Sequence, residues 1–289
     1  MNELAPVLLG LGAAAAWGAG DFTGGWTSRR ASVYGVVIFS ELVGLLGLAL
    51  LAWLTGEAPP AVVYHLMAAF AGMCAGSGIV LLYIALASGQ MSQAAPVSAV
   101  VAAAIPVLIS AIWEGLPGVV TGAGLLLALA AIWLIAGGGD PAGGAHSGRL
   151  ALKTLWLQLR LPVIAGVTFG VYFVLLHQAG QQAFYWPLID ARMASIVFLS
   201  GFVLLTRKPV AVNRAHWLPV ALVGVLDTGG NGLFLLAGRA GRMDVASVLA
   251  SLYPAGTVFL AWLLLKERIT RSQMAGVLAA LLAILLITL

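Results

Sequence analysis

Ten mostly apolar runs, each about 20 residues long, limit what this chain can fold into more than any other feature. A helix that crosses the roughly 30 Å of bilayer hydrocarbon needs about this length, because it rises about 1.5 Å per residue. The composition agrees, since 62% of the 289 residues are apolar and only 8% are charged. The sequence therefore predicts an all-α polytopic membrane protein with ten transmembrane helices at approximately residues 5–27, 32–54, 62–87, 94–114, 116–137, 161–183, 185–206, 215–238, 245–265 and 271–289.

The two halves of the chain carry a weak internal repeat with an offset near 152 residues. The segment "AWGAGDF" at 16–22 aligns with "TFGVYFV" at 168–174, and "ASGQMSQAAPVSAV" at 87–100 aligns with "RAGRMDVASVLASL" at 239–252. Each copy holds five spans, and an odd number of crossings makes the second copy enter the bilayer from the opposite side. We therefore expect two inverted five-helix repeats around a central cavity.

Domain boundaries follow from this repeat. We expect the first repeat at residues 1–137, a polar linker around "GGGDPAGG" at 138–160, and the second repeat at 161–289. The opening "MNELAP" lacks the basic segment of a secretory signal, so the first span is expected to be a retained helix.

Several segments resemble one known family. "AAAAWGAGDF", "YIALASGQMSQAAPVSA" and "YPAGTVFLAWLLLKERITRSQMAGVLAALLAI" are similar to the EamA-type repeat of the drug/metabolite transporter superfamily, and the similarity covers both halves. The resemblance implies ten helices in two inverted repeats around a central cavity. It also implies secondary transport of small metabolites, often the export of amino acids, with the amino-acid exporters, including the aromatic amino-acid exporter, as the nearest subgroup.

Basic residues in the loops predict the orientation in the membrane. Of the fourteen Lys and Arg residues, eleven lie in the loops that follow odd-numbered spans, and only Arg239 and Arg242 lie in an even-numbered loop. Basic loops usually face the cytoplasm. The distribution of charges therefore predicts a protein of the cell (inner) membrane whose two termini face away from the cytoplasm. The family resemblance implies cytoplasmic termini instead; we favour the prediction from the charges.

Several classes of chemistry find no support. Cys74 is the only cysteine, and the four histidines share no metal-ligand spacing. Neither a P-loop nor a GxSxG motif occurs, so we expect no metal, no cofactor and no enzymatic activity. The net charge of +4 comes from loops, which suits anionic lipid and disfavours nucleic acid.

The segment "DTGGNG" at 227–232 supplies the main candidate site. Asp227 and Asn231 lie four residues apart inside the eighth span and therefore share one helix face. A charge at mid-bilayer costs about 3 kcal/mol or more, so such residues usually face a cavity or a protein partner. The counterpart in the first repeat contributes Ser77 and Gly78. Close helix packing is the alternative explanation for the glycines alone.

Other ionisable residues also fall within predicted spans. Asp21 follows Trp17 by one turn of the first helix, although it could equally reach towards the helix end. Glu41 in the second span and Arg192 in the seventh occupy nearly equivalent repeat positions, which favours a structural or gating pair between the repeats. Asp190 is an alternative partner for Arg192.

Aromatic, proline and serine residues complete the predicted cavity. Tyrosine and tryptophan suit a cavity that must hold both apolar and polar groups. Prolines free backbone carbonyls, although kinks without ligand contact are an alternative. The predicted lining residues, with Trp17 already named, are Tyr83, Pro96, Ser98, Tyr172, Ser251 and Tyr253.

Together these observations predict a secondary transporter that works by alternating access, with its cavity lined by helices 1, 3, 4, 6, 8 and 9. The expected substrates are amino acids, including aromatic or apolar ones; sugars and cationic drugs are alternatives. An intramembrane enzyme and a non-transporting scaffold are the alternatives of other classes. We expect a monomer or a weak homodimer in the lipid bilayer, and coupling to protons through Asp21, Glu41 or Asp227 stays open.

Overall fold

A computed structural model describes residues 4–87, 91–113, 115–136, 149–265 and 270–288. All regular elements in these ranges are helices. They are α1 (Leu4–Ser28), α2 (Val33–Thr55), α3 (Val62–Ala87), α4 (Met91–Trp113), α5 (Val119–Ala136), α6 (Arg149–Ala179), α7 (Tyr185–Thr206), a short 3-10 helix (Arg214–His216), α8 (Trp217–Ala240), α9 (Met243–Ala250), α10 (Tyr253–Leu265) and α11 (Arg271–Thr288).

The helices are long and apolar enough to confirm the predicted membrane protein. Within the described ranges, seven segments can cross a bilayer by length and composition, and two shorter apolar helices, Val97–Trp113 and Val119–Ala131, accompany them. One of the seven, Met243–Leu264, includes both α9 and α10. The chain is thus a multi-pass, all-α membrane protein.

The ninth predicted span is interrupted where the sequence places Pro254. α9 ends at Ala250 and α10 begins at Tyr253. Proline has no amide hydrogen to donate to the carbonyl four residues earlier, here that of Ala250, and it disfavours helical geometry in the residue before it. The structure therefore has a broken helix close to the point where Tyr253 enters the interior.

The sixth helix begins earlier than the sequence predicted. We expected the span to start at residue 161 after a linker, but α6 begins at Arg149. The segment from 149 to 161, "RLALKTLWLQLRL", contains neither glycine nor proline and is rich in good helix formers. Helix therefore extends back into the predicted linker, of which residues 138–148 lie outside the described part.

The helix contacts repeat between the two halves of the chain. α1 packs along α8, and the equivalent pair of α6 and α3 packs in the same way. α4 packs on α6 as α9 and α10 pack on α1, while α2 meets α7 and α5 meets α11. This pattern is that of two five-span repeats related by a pseudo-two-fold axis, inverted because each has an odd number of spans.

Loop contacts separate into two groups, as the inverted topology requires. The loop after α1 touches the loop after α7, where the Ser32 amide donates to the Ala211 carbonyl at 3.3 Å. The loop after α2 touches the loop after α6 through Glu57, and Arg242 before α9 donates to the Gly115 carbonyl before α5 at 2.7 Å. Odd-numbered and even-numbered loops thus lie at opposite ends of the bundle.

Small residues allow the helices to approach closely. A Cβ atom added at Gly72 of α3 would overlap the backbone carbonyl of Ala191 on α7. Packing by small residues is expected in a bilayer, where burying apolar surface between helices gives little advantage over lipid. The close contact between α3 and α7 places Ala191 and its neighbour Arg192 against the interior.

Candidate functional site

A cavity of about 60 Å³ lies where the two repeats meet. Its wall contains residues of α1, α2, α3, α6, α7, α8 and the first turn of α10, while the described side chains of α5 and α11 contribute none. The lining residues are Trp17, Asp21, Glu41, Gly72, Ala75, Ile79, Phe169, Tyr172, Phe173, Leu188, Ala191, Arg192, Ser195, Asp227, Asn231 and Tyr253.

The guanidinium of Arg192 holds the charged part of the cavity together. It forms an ion pair with Asp227 through Nη2 and Oδ2, and its Nη1 lies 3.8 Å from Glu41 Oε1. Ser195 Oγ donates to the same Glu41 oxygen at 2.8 Å, and Asn231 Nδ2 donates to Asp227 Oδ2 at 3.3 Å. The ionic groups of α2, α7 and α8 are therefore connected in one network.

Helical spacing explains how the network is assembled. Asn231 follows Asp227 by one turn of α8, and Ser195 follows Arg192 by nearly one turn of α7, so each pair shares a face. The other oxygen of Glu41, Oε2, is enclosed and has no hydrogen-bond partner in the described part of the chain. Only one of the two carboxylate oxygens of Glu41, Oε1, therefore has polar partners among the described residues.

Asp21 stands apart from this network. Its residue is 9% exposed, and it lines the cavity from α1, one turn after Trp17. Within the described residues, no hydrogen-bond donor or cation is paired with its carboxylate. The wall therefore combines three carboxylates with the guanidinium of Arg192, the sole basic side chain among its described members.

Aromatic rings form the apolar part of the cavity. The Trp17 indole stacks on Phe173 at 5.4 Å between ring centroids, and Tyr253 meets it edge-on at 6.5 Å. Phe173 in turn packs on Phe234 at 4.8 Å, behind the wall. The rings are held by α1, α6, α8 and α10, so both repeats contribute to one aromatic surface.

Eight of the predicted residues line this cavity. The prediction of a Glu41 and Arg192 pair agrees with their 3.8 Å approach, whereas Asp190 accepts instead from His65 Nδ1 at 2.6 Å. The eight residues that the structure brings together are Trp17, Asp21, Glu41, Tyr172, Arg192, Asp227, Asn231 and Tyr253.

Five other predicted residues lie outside the cavity wall. Tyr83 is buried against Gly24 of α1, and Gly78 packs on Thr168 and Phe169. Ser77 Oγ donates to the Met73 carbonyl of its own helix at 2.7 Å.

The remaining two are the serines beside the broken helix. Ser98 Oγ lies 2.9 Å from the Tyr253 hydroxyl, and Ser251 is buried beside the helix break. The side chain of Pro96, another predicted lining residue, is outside the described part.

The helices around the cavity also differ from the prediction. α2 and α7 contribute Glu41 and Arg192, although the expected set was helices 1, 3, 4, 6, 8 and 9, and α4 contributes no residue to the described wall. Leu188, Ala191 and Ser195 of α7 also line the cavity but were not predicted from the sequence. The available signal was the position of Leu188 four residues before Arg192 and of Ser195 three residues after it, which places them on the same helix face.

Glu57 caps the start of α7 at the even-loop end of the bundle. Its carboxylate accepts from the Phe184 amide at 2.6 Å and the Tyr185 amide at 2.7 Å, and the Trp186 indole donates to the Glu57 carbonyl at 2.9 Å. The repeat offset relates Phe184 to Ser32, which donates to carbonyls of residues 209 and 211 at the other end. The counterpart contact contains no charge.

No group of three or more His, Cys, Asp and Glu side chains arranged for a metal ion occurs within the described ranges. The acids of the cavity are instead spread around one guanidinium and an aromatic surface. This arrangement can bind a small solute that has a charged group and an apolar part.

Comparisons with known proteins agree with this architecture. The sequence profile of the EamA-like transporter family matches residues 4–137 and again residues 157–289. No curated protein matches the chain. A solved structure titled "Crystal structure of protein" is similar with a TM-score of 0.72 and 15% sequence identity, covering 97% of this chain and 95% of that one. At that identity the similarity shows a shared fold alone.

Proposed function

The chain belongs to the EamA-like transporter family, and we propose that it is a secondary transporter that exports amino acids, including aromatic and apolar ones, through the cavity between its repeats. Members of this family are membrane transporters of small molecules and not enzymes. A small-molecule substrate and a lipid bilayer are therefore its partners.

One observation carries the proposal: a charged network and an aromatic surface face the same cavity at the junction of the repeats. Buried ionic groups cost about 3 kcal/mol or more in a bilayer, so they are retained where a function needs them. An amino acid has a charged backbone and, in many cases, an apolar side chain. The network around Arg192 matches the first part, and the rings of Trp17, Phe173 and Tyr253 match the second.

Alternating access is the mechanism that we propose. The repeats, residues 1–137 and 161–289, would rock against each other about the cavity, with residues 138–160 connecting them. The equivalent contacts of α2 with α7 and of α5 with α11 support this motion, because they are the interfaces across which symmetric repeats exchange conformations.

We further propose that the protein lies in the cell membrane with its odd-numbered loops in the cytoplasm and both termini on the opposite side. The support is the eleven-to-two distribution of basic loop residues. An epitope tag after Leu289 should be accessible from outside intact cells. A tag that reacts only after permeabilisation would overturn the orientation and leave the transport proposal intact.

Flux into proteoliposomes tests the function. A panel of amino acids, sugars and cationic drugs is offered to the reconstituted full-length protein, and uptake of amino acids is expected. The Asp227→Asn and Asn231→Ala variants should lose flux while remaining folded, whereas Asp190→Asn, outside the cavity, should retain it. If no solute moves and none protects the protein against thermal unfolding, the proposal is wrong.

A further inference from the structure

The charges of the cavity wall do not balance. Glu41 and Asp227 both face the Arg192 guanidinium, and each also accepts a hydrogen bond from a neighbour, Ser195 or Asn231. Asp21 has neither a cation nor a donor within the described residues. With all four ionic groups charged, the three carboxylates and one guanidinium leave two negative charges in excess, and Asp21 is the carboxylate that has neither a cation nor a hydrogen-bond donor beside it in the described part of the chain.

We propose that Asp21 is the cation-binding residue of the cavity, which holds the ammonium group of the transported solute in one half of the cycle and a proton in the other. This inference rests on the proposed function, and it assigns the binding of the solute's ammonium group to one side chain. It also selects Asp21 over Glu41 and Asp227 as the group through which protons are coupled.

The surroundings of Asp21 define the kind of cation. Trp17 lies one helical turn away, and Tyr253 meets its indole edge-on. Aromatic faces attract ammonium groups, and the effect grows when water is excluded. The Trp17 and Phe173 stack supplies an apolar surface in the same cavity wall. An ammonium group attached to an aromatic or aliphatic substituent fits this arrangement.

Glu41 and Asp227 are poorer candidates for this role. The free oxygen of Glu41 is enclosed, so a solute in the cavity cannot reach it. Asp227 is already paired with Arg192. The titratable or charged groups that line the cavity together with Asp21 are Glu41 on α2, Tyr172 on α6, Arg192 on α7, Asp227 on α8 and Tyr253 on α10. Tyr83 on α3 is buried near Asp21 but outside the cavity wall.

Proton exchange follows from the position of the carboxylate. An ionised and unpaired acid is costly inside the bilayer, so Asp21 takes up a proton when the solute has left. When the ammonium group enters, the O–H bond of Asp21 breaks and the proton passes to water on the side from which the solute came. One solute cation and one proton therefore bind the same carboxylate in turn, and the two are not bound at the same time.

Three related compounds distinguish binding of the solute's ammonium group from binding of its carboxylate group. Phenylalanine carries both an ammonium and a carboxylate group, phenethylamine lacks the carboxylate, and 3-phenylpropionate lacks the ammonium. The wild-type protein in detergent should bind phenylalanine and phenethylamine and release a proton to a pH indicator on binding. It should neither bind 3-phenylpropionate nor release a proton to it.

Variants of Asp21 complete the test in proteoliposomes. Loss of a charge-assisted hydrogen bond weakens binding by about tenfold or more, so Asp21→Asn should bind phenethylamine correspondingly less well. It should also lose accumulation driven by a pH gradient while still exchanging solute. Asp21→Glu should restore part of the gradient-driven accumulation, and Asp190→Asn, outside the cavity, should behave as wild type.

The outcomes distinguish this inference from the proposed function. If the wild-type protein moves phenylalanine but Asp21→Asn still accumulates it from a pH gradient, the assignment of Asp21 is wrong and the transporter stands. Proton release by 3-phenylpropionate would also overturn the assignment. If Asp21→Asn does not fold, Asp21→Glu decides the question: a change in the pH dependence of proton release supports the assignment of Asp21, and an unchanged pH dependence overturns it. If the wild-type protein moves none of the amino acids, the proposed function itself fails.

Discussion

Arg192 on α7 and Asp227 on α8 form an ion pair inside the cavity, although 35 residues separate them in the chain. Glu41 on α2 faces the same guanidinium at 3.8 Å, so the contact includes both repeats. The side chain of Arg192 is only 9% exposed and that of Glu41 4%. Because the charges are enclosed, each depends on the others for compensation.

Replacing Arg192 by Gln should therefore be strongly destabilising. Removing one partner of a buried ion pair typically costs about 3–5 kcal/mol, because the other charge is left uncompensated. The Arg192→Gln/Asp227→Asn double variant should recover part of this loss. Denaturant unfolding in detergent of the wild-type protein, both single variants and the double variant gives the coupling energy. Strictly additive losses would mean that the two side chains do not stabilise each other.

The origin of this pair shows what the sequence can and cannot predict. The equivalent repeat positions of Glu41 and Arg192 predicted their approach. Asp190, the alternative partner, lies two residues before Arg192 and so about 200° around the helix, and it pairs with His65. Asp227 was predicted as a cavity residue but not as the partner of Arg192. Their contact depends on how α7 and α8 both pack against α2, which no local pattern records.

The cap formed by Glu57 permits a second prediction. Glu57→Gln removes a negative charge from the start of α7 and leaves only one side-chain oxygen for the amides of residues 184–186. Hydrogen bonds to charged groups are worth about 1.5–3 kcal/mol, and neutral ones about 1 kcal/mol. The Glu57→Gln variant should thus unfold at a lower denaturant concentration than Ser32→Ala, its counterpart at the other end. Equal midpoints would show that the charge contributes nothing.

From the sequence, the helix that carries a cavity residue is easier to predict than the face of that helix on which the residue lies. Ser77, Tyr83 and Asn231 all lie in helices that border the cavity, but only Asn231 faces it. In a soluble helix the polar face would distinguish them. In a bilayer both the lipid-facing side and the packed side of a helix are apolar, so hydropathy gives no direction. Glycine-rich contacts such as Gly24 with Tyr83 then determine which residues are enclosed.

The adjacent glycines of "DTGGNG" allow a matched test of the aromatic wall. A Cβ atom at Gly230 would lie 2.5 Å from the Trp17 indole, whereas one at Gly229 would meet no atom within 4 Å. Gly230→Ala must displace the indole from its stack on Phe173, and overpacking of this kind costs about 1–3 kcal/mol. Gly229→Ala should be neutral or stabilising by up to about 1 kcal/mol, because alanine favours helix.

Thermal unfolding in detergent and binding of phenylalanine should therefore separate these two variants. Only Gly230→Ala is expected to lower the unfolding temperature and to weaken binding, since Trp17 lines the cavity one helical turn before Asp21. If both variants bind phenylalanine as the wild-type protein does, the position of the Trp17 indole does not matter for the solute. If both variants lose stability equally, the loss comes from replacing a helical glycine and not from contact with the Trp17 indole.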